Sequence, residues 1–542
     1  MILLVRRLLF SGGFPGPGLP FTPSFHPATG PLEKGRKMSH SQMKAAFVSN
    51  LNGTSLLEIS AGLALPPLCT VCRGLILILL QLHHVTLSWR WGAHFFTDFA
   101  VLIVPLVASC TILSSVIFFV PPILTILGIL LFYKIYSKRH YYAKAPAQKI
   151  ISAFLKISVD SKNIPSVTMF RVYINLATAI SILAVDFPLY PRRYAKTEVY
   201  GTGLMDFGVG AFVFGNAIIC PEVRGKLGAK QSRCYYLARQ LFSVWPLILL
   251  GLGRLISVKS IGYHEHLSEY GVHWNFFFTL AVVKVVASLL LIFFPLNKSW
   301  IVAVIIAILY QLSLDFAQLK MIILHGIDHK GTRIGFLNAN REGIISTFGY
   351  VAIYMAGVQT GLYVLRVKPL LRDWIKVGYH LLLTATTFLV FLYICQTYID
   401  AVSRKMANLA FCIWIVAYSL TFLSWLILGN VILVFTKFLI KGATVPCSWD
   451  LIQTINTDKK SSESLAHQNG RELPSLCLIA AIDRNQLLFF LLTNIMTGLV
   501  NMTVDTLHCS SSWTLTILYL YMISNCLIMY VLHIQNITVK CW

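Results

Sequence analysis

Asp186 and Lys196 are the residues of this sequence whose types and spacing best suit acid–base chemistry. They sit in the run Ala184-Val185-Asp186-Phe187-Pro188-Leu189-Tyr190-Pro191-Arg192-Arg193-Tyr194-Ala195-Lys196. Pro188 and Pro191 fix φ and predict an ordered turn, able to bring the carboxylate and the ammonium together. A carboxylate beside a cation can act as general base toward a hydroxyl. The ammonium can balance an anionic intermediate or hold an anionic ligand. Asp206 follows at the start of an apolar stretch, with Gly208 and Gly210 leaving room for close packing. The alternative is a salt bridge at a membrane edge.

Two further stretches carry polar groups that suit a ligand. His264, Glu265 and His266 precede His273, Trp274 and Asn275. The histidine spacing does not follow a zinc pattern, so no metal is expected. Trp274 is an interfacial anchor, and His273 and Asn275 are candidates for a lipid headgroup. In the second stretch, Asn338, Asn340, Arg341 and Glu342 lead into an apolar run. Asn340 is a natural N-cap, and a helix start beside Arg341 suits an anion. An ordinary capped helix is the competing reading. Lys284 and Asp315 lie inside apolar stretches, at depths that would let them meet; such residues are functional candidates by default. Cys69-x-x-Cys72 has redox spacing but no second pair, and reads as filler.

The elements that must position these groups are membrane helices. Of 542 residues, 56 % are hydrophobic and 12 % charged, about half the charged share of a soluble domain. Lipid is the expected solvent, and helices satisfy their own backbone there. About thirteen stretches meet the length for a span: 65–82, 98–119, 122–136, 172–187, 204–220, 241–257, 274–294, 300–319, 343–365, 376–395, 408–428, 486–504 and 515–534, with 431–439 as a further partial dip. The expected fold is all-α, a polytopic transmembrane bundle. Residues 1–37 carry Arg6 and Arg7 inside a short apolar run and then Gly/Pro-rich chain. They read as a disordered alternative-start extension, ahead of a single membrane domain over 38–542.

The balance of 45 Lys+Arg against 21 Asp+Glu gives +24. No basic stretch interleaves with aromatics on a soluble domain, so nucleic acid is set aside. The cations instead crowd alternate loops: 134–149, 224–239, 366–372 and 437–471. The positive-inside rule puts these in the cytosol, hence the N-terminus and the sequon Asn52-Gly53-Thr54 on the opposite side and the C-terminus in the cytosol. Arg192, Arg193 and Lys196 then lie on the face the rule depletes, which marks their loop.

Several blocks carry a resemblance: Gln42-Met43-Lys44, Ile182 to Pro188, Pro191 to Lys196, Met205 to Gly210, Tyr270 to Thr279 and Leu337 to Ser346. The sequence resembles, from Met38 to Trp542, the phosphatidylinositol-glycan class W family of GPI inositol acyltransferases. The resemblance implies an endoplasmic-reticulum enzyme. It would move a fatty acyl chain, usually palmitoyl, from acyl-CoA to the inositol 2-hydroxyl of glucosaminyl-phosphatidylinositol. The family's acid–lysine pair carries over to Asp186 and Lys196. Arg192, Arg193 and the block from Asn338 to Glu342 match as well, with a headgroup role inferred. Acyl-CoA is a co-substrate and no cofactor is expected. From composition alone, a lipid transporter or a non-catalytic scaffold would fit equally.

Overall fold

The computed structural model describes residues 51–83, 91–138, 146–160, 163–225, 233–261, 267–328, 331–366, 368–440, 442–452 and 476–539. The stretch 1–37, with its expected disorder, and His264 and His266 lie outside them.

Each of the thirteen apolar stretches contains a helix, although in 98–119 the helix stops at Ser109 and turns follow, with a 3-10 turn at Ser114–Val116. These helices are α1 (Leu56–Leu82), α2 (Trp91–Ser109), α3 (Val120–Ser137), α4 (Pro165–Ala184), α5 (Leu204–Ile218), α6 (Trp245–Ile261), α7 (Phe276–Phe293), α8 (Ser299–Phe316), α9 (Arg341–Val364), α10 (Leu371–Tyr398), α11 (Leu409–Leu439), α12 (Gln486–Thr503) and α13 (Ser511–Ile534). Among the described residues, 11 helices are long and apolar enough to cross a membrane. The other two are α5, with 15 residues, and α9, whose 24 residues include Arg341, Glu342 and many small polar side chains. The partial dip expected at 431–439 is not separate: α11 runs unbroken for 31 residues. The strands among the described residues are two short ones, β1 (Ser158–Val159) and β2 (Leu451–Ile452), paired antiparallel with Ser158 opposite Ile452. The chain is therefore an all-α, multi-pass membrane bundle.

In lipid a helix that is apolar all round can be central or lipid-facing, so packing shows which helices are central. α11 is central, buried along most of its length and packed by α1, α4, α5, α9 and α10. α3 keeps most of its apolar surface exposed, and α12, mostly half-buried, seals only Phe489 and Thr493; both lie at the rim of the bundle. Small residues let the inner helices touch. A Cβ on Gly357 of α9 would stand 2.7 Å from the Cβ of Ala217, and one on Gly361 would stand 2.4 Å from the Ile218 carbonyl oxygen. This is small-xxx-small packing of α9 on α5. Gly210 of α5 meets Ile415 of α11 in the same way.

The connections at one end of the bundle knit together. Thr54 N donates to Thr202 O at 2.6 Å, and the Thr202 hydroxyl donates to Thr54 O at 2.6 Å. Gly53 lies against this strand-like bridge at φ +80°, where a side chain would collide with Thr202. Gly201 N donates to Val402 O at 2.8 Å. The segment before α1, the α4–α5 loop and the α10–α11 loop thus share one face.

Candidate active site

Asp186 stands just past the end of α4, where the chain turns on Asp186 N to Leu183 O (3.2 Å) and Phe187 N to Ala184 O (3.0 Å). Arg192 clasps that turn. Its Nη2 donates to the carbonyls of Val185 at 2.6 Å, Phe187 at 3.2 Å and Tyr190 at 3.3 Å. The guanidinium therefore grips the backbone on both sides of Asp186. The carboxylate is half-buried, and its Oδ2 accepts from Nδ2 of Asn501, near the C-terminal end of α12, at 2.7 Å.

Lys196 is on the same loop but is held elsewhere. Its Nζ bonds Glu269 Oε2 at 2.7 Å and lies 5.8 Å from the Tyr270 ring centroid. Burial works to raise the Glu269 carboxyl; Lys196 first, then Arg404 and Arg254, outweigh it and hold it at about 2. Beneath this pair, Arg404 and Asp206 form an ion pair at 2.7 Å, 2 % and 0 % exposed. Thr197 donates to Asp206 Oδ2 through its amide (3.0 Å) and its hydroxyl (2.8 Å). The expected meeting of Asp186 with Lys196 is thus corrected: the ammonium bonds Glu269. The physical reason is that Glu269 and Tyr270 offer Lys196 a charge and a ring face, while Arg192 turns Asp186 toward α12.

Tyr194 stands at an apolar cavity of about 60 Å³ between α1, α2, α4 and α5. Glu58 and Tyr194 line it together with Leu63, Pro66, Leu106, Tyr173 and Phe207. Tyr194 donates its hydroxyl to Glu58 Oε1 at 2.6 Å, and Arg193 Nε donates to the same atom at 2.8 Å.

Comparison with known proteins settles the kinship. The GWT1 family model matches residues 40–532. The chain belongs to the GWT1 family. It is 58 % identical over 505 residues to the glucosaminyl-phosphatidylinositol-acyltransferase PIGW of Mus musculus, covering 93 % of this chain and 100 % of that one. The Homo sapiens protein of the same name is 58 % identical over 510 residues, with the same coverage. The GPI-anchored wall transfer protein 1 of Saccharomyces cerevisiae is 32 % identical over 511 residues, covering 89 % of this chain and 95 % of its own.

In this GWT1-family chain the block from Asn338 to Glu342 is built as support. Arg341 is buried and donates to the carbonyls of Ile323 (3.1 Å), Thr332 (3.1 Å) and Asn338 (3.0 Å). Asn338 accepts from Ile327 N at 3.2 Å and donates to Thr332 O at 2.8 Å. Glu342 takes both Nη atoms of Arg333, at 2.9 and 3.3 Å. Asn340 does not cap α9 with its side chain; it accepts from His273 N at 2.8 Å and donates to Phe336 O at 2.9 Å. Arg341 is thus spent on carbonyls rather than left facing an anion. Asn275 caps α7, accepting from Phe277 N (3.1 Å) and Phe278 N (3.3 Å), and donates to Gly251 O at 2.8 Å. Lys284 and Asp315 do not meet. α8 packs on α9, Asp315 accepts from Gln311 at 2.9 Å, and the carboxylate whose charge acts on Lys284 is Glu222.

Five charged or polar residues escaped the sequence reading: Glu58, Glu269, Arg404, Lys405 and Asn501. Arg404 and Lys405 carried a readable signal. They are cations in a loop that the charge alternation places on the depleted face, as Arg192, Arg193 and Lys196 are. Among the described residues, no cluster of His, Cys, Asp and Glu is arranged to hold a metal.

Proposed function

We propose that this chain transfers a fatty acyl group, palmitoyl in the first instance, from acyl-CoA to the inositol 2-hydroxyl of glucosaminyl-phosphatidylinositol, a step in GPI-anchor biosynthesis. The family supports the reaction. The observation that carries the site is the half-buried Asp186 carboxylate, gripped by Arg192 through its backbone and by Asn501 through its side chain. Fixed in this way, Asp186 is suited to general-base work on a hydroxyl.

The inositol oxygen attacks the thioester carbonyl as Asp186 takes its proton. A C–O bond forms, the carbonyl oxygen becomes anionic, and collapse breaks the C–S bond. The CoA thiolate leaves and takes up the proton. Lys196 is held by Glu269 apart from the Asp186 carboxylate, so in this reading the thioester carbonyl must extend to its ammonium for the negative charge to be balanced there. An ammonium has three N–H donors; Glu269 uses one and fixes its position, leaving two for the oxyanion or the leaving sulfur. The apolar cavity bounded by Glu58 and Tyr194 takes part of an acyl chain. From Glu58 to Pro66 it follows α1 for roughly 12 Å. No resident cofactor enters the scheme, and no covalent acyl-enzyme is needed.

This reading puts the protein in the endoplasmic-reticulum membrane, with Asp186 and Asn52 on the luminal face and the C-terminus in the cytosol. The basic residues of the alternate loops support that orientation. The test is Asp186→Asn in microsomes. Protein abundance stays near normal and acyl transfer is lost; retained transfer removes Asp186 from the role of base.

A further inference from the structure

Lys405 lies in the α10–α11 connection, next to Arg404. It is 9 % exposed, and its ammonium has neither a hydrogen bond nor an ion pair with a described residue. The other cations at this end are engaged: Lys196 by Glu269, Arg404 by Asp206, Arg333 by Glu342, Arg193 by Glu58, Lys320 by Asp400, and Arg341 by carbonyls. Each of these acids is therefore already taken. The charges around Lys405 are Glu342, which would attract it, and Arg333, Arg404 and Arg341, which repel it. A largely buried side chain that brings its cation among three others, beside one acid that is already doubly bonded, is costly for the empty protein. It is also a ready seat for a compact anion.

We propose that Lys405 binds the phosphodiester of the lipid acceptor, seating the headgroup of glucosaminyl-phosphatidylinositol at the face that carries Lys196 and Arg404. The proposal rests on the acyl-transfer reading. Of the two substrates in that reading, neither carries a carboxylate, so phosphate is the anion available. A lysine ammonium, with three donors on a flexible stem, suits a single charged phosphate. CoA phosphates share this chemistry, so the two sources must be separated.

The test uses the full chain in lipid nanodiscs, comparing wild type with Lys405→Gln and Lys405→Arg. Three quantities are read: KM for glucosaminyl-phosphatidylinositol, KM for palmitoyl-CoA, and the melting temperature without substrate. Lys405→Gln is expected to raise the lipid KM by about tenfold or more and leave the palmitoyl-CoA KM unchanged. Its melting temperature holds or rises, because an uncompensated buried charge is gone; Lys405→Arg recovers part of the lipid affinity. A lower melting temperature with both KM values unchanged would mean a structural residue and overturn the proposal. A rise in the palmitoyl-CoA KM alone would overturn the assignment to the lipid. Lipid binding is also read without turnover, as the thermal shift on adding glucosaminyl-phosphatidylinositol. Loss of that shift in Lys405→Gln supports the site even if the acyl-transfer reading fails; an undiminished shift contradicts it.

Discussion

Asn501 donates its side-chain amide to Oδ2 of Asp186 at 2.7 Å, across 315 positions of sequence. The bond ties the turn after α4 to the end of α12, a rim helix. It fixes the plane of the carboxylate, whose backbone Arg192 clasps. Misplacing a reacting group by about 1 Å costs on the order of a hundredfold in rate. Asn501→Ala should therefore lower kcat by about ten- to a hundredfold while KM for both substrates and the melting temperature stay near wild type. Steady-state kinetics with purified variant check this; a variant with unchanged kcat would leave Asn501 no part in aiming Asp186.

Asp206 and Arg404 join α5 to the α10–α11 loop through a pair that solvent scarcely reaches. Removing one partner strands a buried charge, at about 3–5 kcal/mol. Arg404→Gln should thus melt well below wild type, and Asp206→Asn/Arg404→Gln should recover part of the loss. A double variant no better than the single one would show that the pair is not coupled. The contrast with Lys405, whose neutralisation is expected to cost no stability, separates a structural cation from a binding one.

Glu269 sets a pH window. Lys196, Arg404 and Arg254 hold its carboxyl at about 2, below the ordinary value of 4.5. A depressed folded-state pKa gives stability that is present above the unfolded value and lost as pH falls toward the folded one. Melting temperature should therefore fall between pH 4.5 and 2 in wild type and fall less in Glu269→Gln. Glu269 is 28 % exposed, so added salt should shrink the difference. Equal slopes in the two proteins would contradict the pairing.

Asn52 reports the face of the site. Its neighbours Gly53 and Thr54 are bridged to Thr202, in the same loop as Lys196, and Asn52 itself is exposed. If that face is luminal, the sequon carries glycan. Endoglycosidase treatment should shift the mobility of wild type and leave Asn52→Gln unchanged; an unmodified Asn52 would place the site on the other side.

Much of this fold was legible because lipid imposes a simple rule. Long apolar stretches must be helices, so a helix was read at all thirteen places, with α9 begun two residues late at Gly343; among the described residues 11 of the helices are long and apolar enough to span. Their ends were less legible. α1 begins at Leu56 rather than 65, because Ser55 caps it and the helix tolerates Pro66 and Pro67. At the site, the sequence showed Asp186, Lys196 and Asp206 as unusual but not whom they would meet. Glu269 is 73 positions from Lys196, and Arg404 is 207 from Thr197. Such partners follow from how α5, α9 and α11 cross, which depends on glycines such as Gly357 and Gly361. Asn340 does occupy the N-cap position of α9, as its local sequence says, but its side chain does not make the cap bond. The nearby His273 amide took the side chain instead.

The most direct measurement gives the purified protein, in lipid, only palmitoyl-CoA and glucosaminyl-phosphatidylinositol, and follows product by mass. The expected result is an acceptor heavier by one palmitoyl group on inositol, free CoA in equal amount, and no product from Asp186→Asn. A folded preparation that binds both lipids and yields no acylated inositol would contradict the assignment.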